Sequence, residues 1–537
     1  MAIFPKLEVK PPKQSHHNRS HFFRTSMAPG CLVPIYCRNV VPGDEINLDY
    51  ESLVETQALL SPLYGSFKLQ IDTFFAGTSL YVPQLWRNGS MKQADGTLHA
   101  PYPTFKVSMY STTSREKGMR VDPSSLLAYL GFNPGYAFLR VADAVSRPFN
   151  AIPLLMYLDI YRHYYANRQE ASFPFIGNPT TPTPTPQVTW QSLAQLDDLF
   201  LNLGSNGFDV SSYLESLNLG SLLRPDAPLS GLLLKTYSPD RMNVILNSEF
   251  YGKNVSSVQV STAGGNFQVD QLVTAKKLWN SRNKDAMSSG TFKDWVRLHY
   301  GVTPKIMDDM PTFCGSTSTD ILFQDIRATT TSTVPDLNVT QFLGDKASSG
   351  SGFMRSRRHV VKADRPGYVM VLASIVPRVD YYQNLERYTM YTDISDEFRP
   401  EYNGIGLQDV LVSDLNADFS SIPGPLREDE GYADPAKDSV GKQPAWIEYM
   451  TAVNKIRGTF CSSEKSWVLA RDMRANPSMT GKDSQPAENT ATTAYVIPGQ
   501  WNQPFALQQL TDQNFLCQFK ITDVVRSSVL KRLLPKF

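Results

Sequence analysis

Of the seven histidines in this 537-residue chain, His16, His17 and His21 crowd together near the N-terminus, while His163, His299 and His359 stand singly. Imidazole is a common metal ligand, so the trio is the first candidate site. Structural zinc usually draws on a second His/Cys cluster, and none lies at such a spacing. A solvated arm is the simpler account, and no metal is assigned. Carboxylates cluster at Asp308-Asp309 and Glu428-Asp429-Glu430. Two acids can cleave a glycosidic bond without being sequence neighbours, so a carbohydrate-active β-rich enzyme stays open as an alternative. The phosphate loop, nucleophile elbow, zinc-protease helix and dinucleotide fingerprint are all absent. The chain therefore reads as no enzyme, with no cofactor.

Basic clusters are the stronger signal. Lys6, Lys10, Lys13, Arg19 and Arg24 face a single acid, Glu8, in residues 1–28. "RSRRHVVK" gathers Arg355, Arg357, Arg358, His359 and Lys362, and the tail carries Arg526, Lys531, Arg532 and Lys536 with no acid after Asp523. Cations at chain ends are a common way to meet phosphates. The net charge of +1 gives no global field to attract nucleic acid, so any such contact is local.

These clusters must be held by something, and the chain announces strands. Val41-Pro42-Gly43-Asp44 reads as a type II turn, with proline presetting φ at the second position and glycine accepting positive φ at the third. Ile46, Leu48 and Tyr50 then alternate with Glu45, Asn47 and Asp49, the period of a strand with one buried face. Phe67, Leu69 and Ile71 repeat the pattern, as do Phe515, Cys517, Phe519 and Ile521. "YVMVLASIVP" (368–377) is apolar throughout, as a strand covered on both faces would be. Residues 148–168 read as an aromatic helix started by Pro153, and 268–300 as a second helical stretch. Residues 311–352 are rich in Ser, Thr and Gly, with short strand-like pieces.

Residues 171–235 differ in character. "NPTTPTPTPQ" is a stiff polyproline-type spacer. Leu193, Leu196, Phe200 and Leu203 follow at helical spacing, then Tyr213, Leu214 and Leu217. The block reads as an insertion that folds on itself and projects outward. The charged fraction of 19% is below the usual value of about 25%, so much surface should be buried or contacted. The five cysteines are odd in number and scattered, which fits packed thiols in a reducing compartment. The N-terminus lacks the apolar core of a signal peptide, and no apolar run nears the roughly 20 residues that span a bilayer. The expectation is a soluble protein of the cytoplasm, without membrane insertion.

"RSHFFRTSMAPGCLVPIYCRNVVPGD" resembles the start of the major capsid proteins of the Microviridae, small single-stranded-DNA bacteriophages, most closely their gokushovirus-like branch. "VPQLWRNG" (82–89), "YLGF" (129–132), "FNAIPLLMYLDIYRHYYANR" (149–168), "LLLKTYSPD" (232–240), "VRLHYGV" (296–302), "PGYVMVLASIVPRVDYYQ" (366–383) and "FLCQFKITDVVRSS" (515–528) are similar too, in the family's order. "RPEYNGIGLQD" (399–409) matches only loosely, and 171–235 does not align.

The resemblance implies a mainly β fold, an eight-stranded viral jelly roll with long helical and loop insertions. It implies an interior-facing arm (1–28), first barrel strands with a helical insertion (29–170), a surface protrusion (171–235) and the remaining strands with a basic tail (236–537). It further implies self-assembly through pentamers into a sixty-subunit T=1 icosahedral virion around circular single-stranded DNA, formed in the bacterial host's cytoplasm. The expected partners are other copies of the chain, the DNA, a small basic DNA-binding protein, a minor or pilot protein, a scaffolding protein and a host receptor. The expected DNA contacts are Lys6, Lys10, Lys13, Arg19, Arg24, Arg526, Lys531, Arg532 and Lys536. Thr181, Pro182, Thr183, Pro184, Trp190 and Phe200 are the expected host contacts. A virion spike is the other reading, and it would give small oligomers without a closed shell.

Overall fold

The computed structural model describes residues 14–82, 102–107, 119–132, 135–137, 148–168, 172–177, 186–201, 203, 209–236, 276, 310–327, 332–334, 339–341, 346–402, 406–415, 439–470, 495–527 and 529. The alternation that marked strands in the sequence is the alternation of burial. In β4 (Glu45–Thr56), Ile46, Leu48, Tyr50, Ser52 and Val54 are buried, and their neighbours face outward. In β12 (Phe515–Ser527) every odd-numbered residue is buried. The turn before β4 has Gly43 at φ +87°, with the Asp44 amide donating to the Val41 carbonyl at 3.0 Å.

The other barrel strands are β2 (His21–Met27), β3 (Val33–Val40), β5 (Ser66–Gly77), β8 (Thr312–Arg327), β9 (Lys346–Arg355) and β11 (Gly367–Pro377). All pair antiparallel. One sheet runs β2-β12-β4-β9 and the other β3-β11-β5-β8. They meet where the end of β8, Leu322–Arg327, pairs with Lys346–Ser351 of β9. The sheet therefore curls over on itself as an eight-stranded jelly roll. Its two halves touch through the rings of Phe67 and Phe515 at 5.0 Å and the hydroxyls of Tyr50 and Thr73 at 2.9 Å. Strands β1 (Ser15–Asn18) and β10 (His359–Lys362) extend the first sheet along β12 and β4.

The arm expected to be loose over 1–28 is thus strand from Ser15 to Asn18 and from His21 to Met27. Its alternation is weak in hydropathy because only Phe23 and Met27 supply apolar inward side chains, and β12 provides the missing hydrogen bonds. The Ser/Thr/Gly-rich stretch likewise forms a sixteen-residue strand, β8, where short pieces were expected.

A second layer covers the β3-β11-β5-β8 sheet. Helix α1 (Ile152–Tyr164) begins with a proline in its first turn and is buried almost all round. A helix apolar on every side must lie between two layers. One layer is the sheet: Phe74 meets Tyr164 at 4.9 Å, and the Tyr165 hydroxyl donates to Asp72 at 2.7 Å. The other is the insertion: hairpin β6 (Ser172–Gly177) and β7 (Gln187–Ser192), α2 (Leu193–Leu201) and α3 (Val210–Ser216). Leu193, Leu196, Leu199, Leu214, Leu219 and Leu222 join the same core as the barrel. The insertion is accordingly a third layer on the jelly roll, and its inward position in α2 is Leu199 where the spacing had suggested Phe200.

This covering explains why Gln70 and Asp72, on the outer face of β5, are buried. Lys235, only 2% exposed, reaches them from the insertion's end, donating to Gln70 at 2.8 Å and lying 5.5 Å from the Tyr165 ring. Gly30 sits where three segments cross. Its φ is +80°, and a Cβ there would fall 2.2 Å from the Val496 carbonyl oxygen. Among the described residues no helix is long and apolar enough to cross a membrane.

Candidate functional site: the basic termini and the insertion

The N-terminal strands and the C-terminal strand lie side by side because β1 and β2 both pair with β12, which puts Arg24 level with Gln518 near its start and Arg526 near its end. Arg19 turns inward between the two strands. Its guanidinium donates to Asp523 at 2.9 Å, and the Tyr36 hydroxyl donates to the same carboxylate at 2.7 Å. Asp523 has no solvent exposure, so the charge on it is held by these donors. Burial, then the adjacent carboxylate, push the Tyr36 phenol far above its ordinary pKa. Arg19 is therefore a structural clamp between the chain's two ends. Arg24 and Arg526, by contrast, are exposed. Arg24 donates to Gln518 at 2.9 Å and lies 5.8 Å from the Phe22 ring. Arg526 stands in register with His16 and Glu45. Lys6, Lys10, Lys13, Lys531, Arg532 and Lys536 lie outside the described residues.

The outer face of this sheet mixes signs. Lys520 donates to Glu51 at 2.9 Å, and this bond, with Lys520 and Arg355 as neighbouring charges, holds the Glu51 carboxyl below its usual range. Arg355 and Arg358 are exposed, 3.7 and 4.0 Å from Glu51 and Asp49. His359, counted with them as a basic cluster, instead points into the barrel. Its ring nitrogens meet Thr73 at 2.9 Å and Thr317 at 3.1 Å, and its ring would collide with any Cβ at Gly315. Alternation hides this: one residue's shift from a flank arginine crosses to the other face.

In the insertion, Thr181, Pro182, Thr183 and Pro184 lie outside the described residues. Trp190 packs edge-on against Tyr495, with ring centroids 6.0 Å apart and the indole nitrogen buried. Phe200 is half-buried beneath the Arg162 guanidinium at 4.4 Å. Both expected contact rings therefore serve packing within the chain. Arg162 and Arg168 converge on Asp197 of α2, at 3.4 and 2.5 Å, and tie the insertion to α1. Residue types alone could not separate these roles, since Trp and Phe suit a docking face and a core equally.

The chemistry weighed in the sequence finds no constellation here. Among the described residues, no three His, Cys, Asp or Glu side chains are placed to hold a metal. Asp308-Asp309 and Glu428-Asp429-Glu430 lie outside the described residues. All five cysteines are free thiols, and burial raises Cys31 and Cys517 far above the ordinary value and Cys37 and Cys314 to about 12.

Among the described residues the jelly roll holds no cluster placed to bind a metal, and helices overlie one of its sheets. The family described as "Capsid protein (F protein)" matches residues 8–171 and 250–511, most of the chain. The chain belongs to this family. It is a major capsid protein of the Microviridae type, a structural protein of the virion. No curated protein matches the chain. The family match skips residues 172–249, which contain the insertion. It also stops before β12, the strand that closes the first sheet, although the sequence of that strand had resembled the family's last one. The family match thus covers α1 and the barrel strands other than β12, and leaves the insertion outside it.

Proposed function

We propose that this capsid protein assembles through pentamers into a T=1 icosahedral shell enclosing circular single-stranded DNA. The observation that carries the reading is a closed jelly roll, in a chain of the phage capsid family, whose two termini run side by side on one sheet and present exposed cations there. Pairing with β12 puts the N-terminal and C-terminal cations on one sheet, with Arg24 towards one end of that strand and Arg526 towards the other. Arg24 and Arg526 contribute phosphate contacts, and the lysines and arginine beyond the described strands extend them. Arg19 stays with Asp523. A net charge of +1 cannot neutralise a genome, so a small basic protein accompanies the DNA, and assembly in the host cytoplasm uses a scaffolding protein and a minor or pilot protein. The insertion covers the opposite sheet and faces away from the terminal patch. That placement supports the outer surface and contact with a host receptor through Thr181, Pro182, Thr183, Pro184 and the exposed sides of its helices. Nuclease protection tests the reading. Particles from infected cells should shield full-length DNA, and Arg24→Ala/Arg526→Ala particles should lose DNA at lower salt than wild type. DNA retention unchanged in that variant at every salt would remove the terminal patch from the account.

A further inference from the structure

Between Pro377 and Val468 the chain leaves the barrel and builds a lobe that has almost no interior. Of its residues whose burial is described, Ser413 alone is buried, and beyond Val379 the lobe adds nothing to the core until Leu469. A two-stranded hairpin of Leu407–Leu411 with Ser439–Pro444 and a small aromatic cluster hold it. Trp446 stacks on Tyr402 at 6.0 Å and 8° and meets Phe398 at 5.5 Å and Tyr449 at 6.2 Å. Ion pairs Arg387–Asp414 (2.6 Å) and Lys455–Glu386 (2.7 Å) pin the ends. Tyr449 of this cluster, and Tyr388, Ile394, Met450 and Val453 outside it, are half or more exposed. Asp393, Asp396, Glu397 and Glu401 are exposed beside Ile394 together with Arg399, while Lys455 and Arg457 are exposed beside Val453. An apolar surface edged by acids on its Ile394 side has the composition of an interface.

A second exposed patch has the complementary character. On the flank of the β2-β12-β4-β9 sheet, Phe353 (67% exposed) and Val360 frame Arg355, Arg357 and Arg358. The pairs these arginines make with Glu51 and Asp49 are 3.7 and 4.0 Å long and solvent-exposed, so they contribute little and leave the guanidiniums available. The two patches occupy different parts of the subunit. The lobe departs at Pro377, opposite Phe67 near the start of β5, whereas Arg355 lies over Glu51 in the middle of β4. Contacts around a three-fold or five-fold axis of a closed shell join two different patches of the same chain, whereas a two-fold contact joins a patch to itself. Opposite charge then fixes which patch meets which.

We infer that the acidic aromatic face of the 380–467 lobe docks on the Phe353/Arg355–Arg358 flank of a neighbouring copy, with guanidiniums placed over the exposed Tyr rings and beside Glu397 and Glu401. This rests on the shell-forming reading and names the surfaces that make the shell. The contact is heterologous, and one side of it is a region with no counterpart for its own burial.

The test is a charge swap in the full chain, co-expressed with its accompanying viral proteins. Arg357→Glu/Arg358→Glu and Glu397→Arg/Glu401→Arg are made separately and together. The readouts are particle yield in a sedimentation gradient and the melting temperature of unassembled subunits. Each reversal should cut particle yield about tenfold or more, since like charges at a contact cost several times RT, while subunits melt within about 1 °C of wild type. The combined variant should recover particles. Two outcomes overturn the inference: either reversal assembling as wild type does, or a combined variant no better than its parents. Arginine-reversed particles that form normally but lack DNA would also overturn it, because the flank would then face the genome. If a reversal does not fold, Arg357→Gln/Arg358→Gln is read in its place, with wild-type yield counting against the contact. Absence of particles from the wild-type chain would instead fail the shell-forming reading itself.

Discussion

Replacing Asp523 by alanine should loosen the joint between the chain's two ends. Asp523 is fully buried and accepts from the Arg19 guanidinium at 2.9 Å and the Tyr36 hydroxyl at 2.7 Å. Removing one partner of a buried ion pair costs about 3–5 kcal/mol, because the other charge is left without compensation. The Arg19 side chain keeps 24% exposure, so water recovers part of that loss, and the low end, about 3 kcal/mol, is expected for Asp523→Ala. Arg19→Met should cost about 2 kcal/mol, since Tyr36 still donates to the carboxylate. The double variant should cost clearly less than the sum, with a coupling of about 1–2 kcal/mol. Because a chain this long need not unfold in one step, the assay is native-state amide exchange read in β2 and β12. Both strands should lose protection together in Asp523→Ala, ahead of α1. A change under about 0.5 kcal/mol, or strictly additive single variants, would refute the clamp and return Arg19 to the set of phosphate contacts.

Other outcomes follow from the same packing. Gly30→Ala combines a left-handed backbone with a 2.2 Å collision against Val496, and it should yield no soluble subunit in an expression trial. Trp190→Ala should lower the subunit melting temperature and leave host adsorption of surviving particles unchanged, because the ring packs on Tyr495. Asp209 caps α3 by accepting from the Ser211 amide at 3.1 Å and pairs with Lys106 at 3.1 Å, so Asp209→Ala should cost about 1 kcal/mol in denaturant titration. Burial alone would raise the Asp209 carboxyl, but Lys106 and Ser211 prevail and lower it. A lowered folded-state value means this stabilisation is fully present above the ordinary aspartate value and is lost as pH falls from there through the lower value of the folded protein. Asp209→Asn should therefore flatten that acid limb while keeping the cap. Thiol labelling of native protein at pH 8 should be slow at Cys37 and Cys314, which burial raises to about 12, and slower at Cys31 and Cys517, which it raises further.

Strands with one wet face were legible because their period writes burial directly into the sequence. Ile46, Leu48 and Tyr50, and the odd residues of β12, are buried as the alternation required. The continuous apolar run at 368–377 did mark a strand covered on both sides. What stayed hidden depended on partners distant in sequence. Gln70 and Asp72 look like solvent positions until α1 and Lys235 are placed over them. Strand β2 is polar on its open face and gains its structure from pairing with β12, nearly five hundred residues away. Arg19 could not be separated from Arg24 by type. Only Asp523 beneath one and solvent around the other distinguish them. Trp190 and Phe200 show the same limit, since a large ring fits a receptor or a core until its neighbours are known. The 380–467 lobe carried no periodic signal, because its described residues hardly enter a core: a short hairpin and the rings around Trp446 take the place of a buried sheet or helix face.

The shell itself is tested most directly by cryo-electron microscopy of particles sedimented from cells expressing this chain with its accompanying viral proteins. The account predicts closed shells of one size with icosahedral T=1 symmetry, this chain forming the continuous wall, the insertion outside and the terminal patch of β1, β2 and β12 facing the DNA. A stable monomer or small oligomer that never closes, or a shell whose wall is another protein with this chain standing on it as a spike, would contradict it.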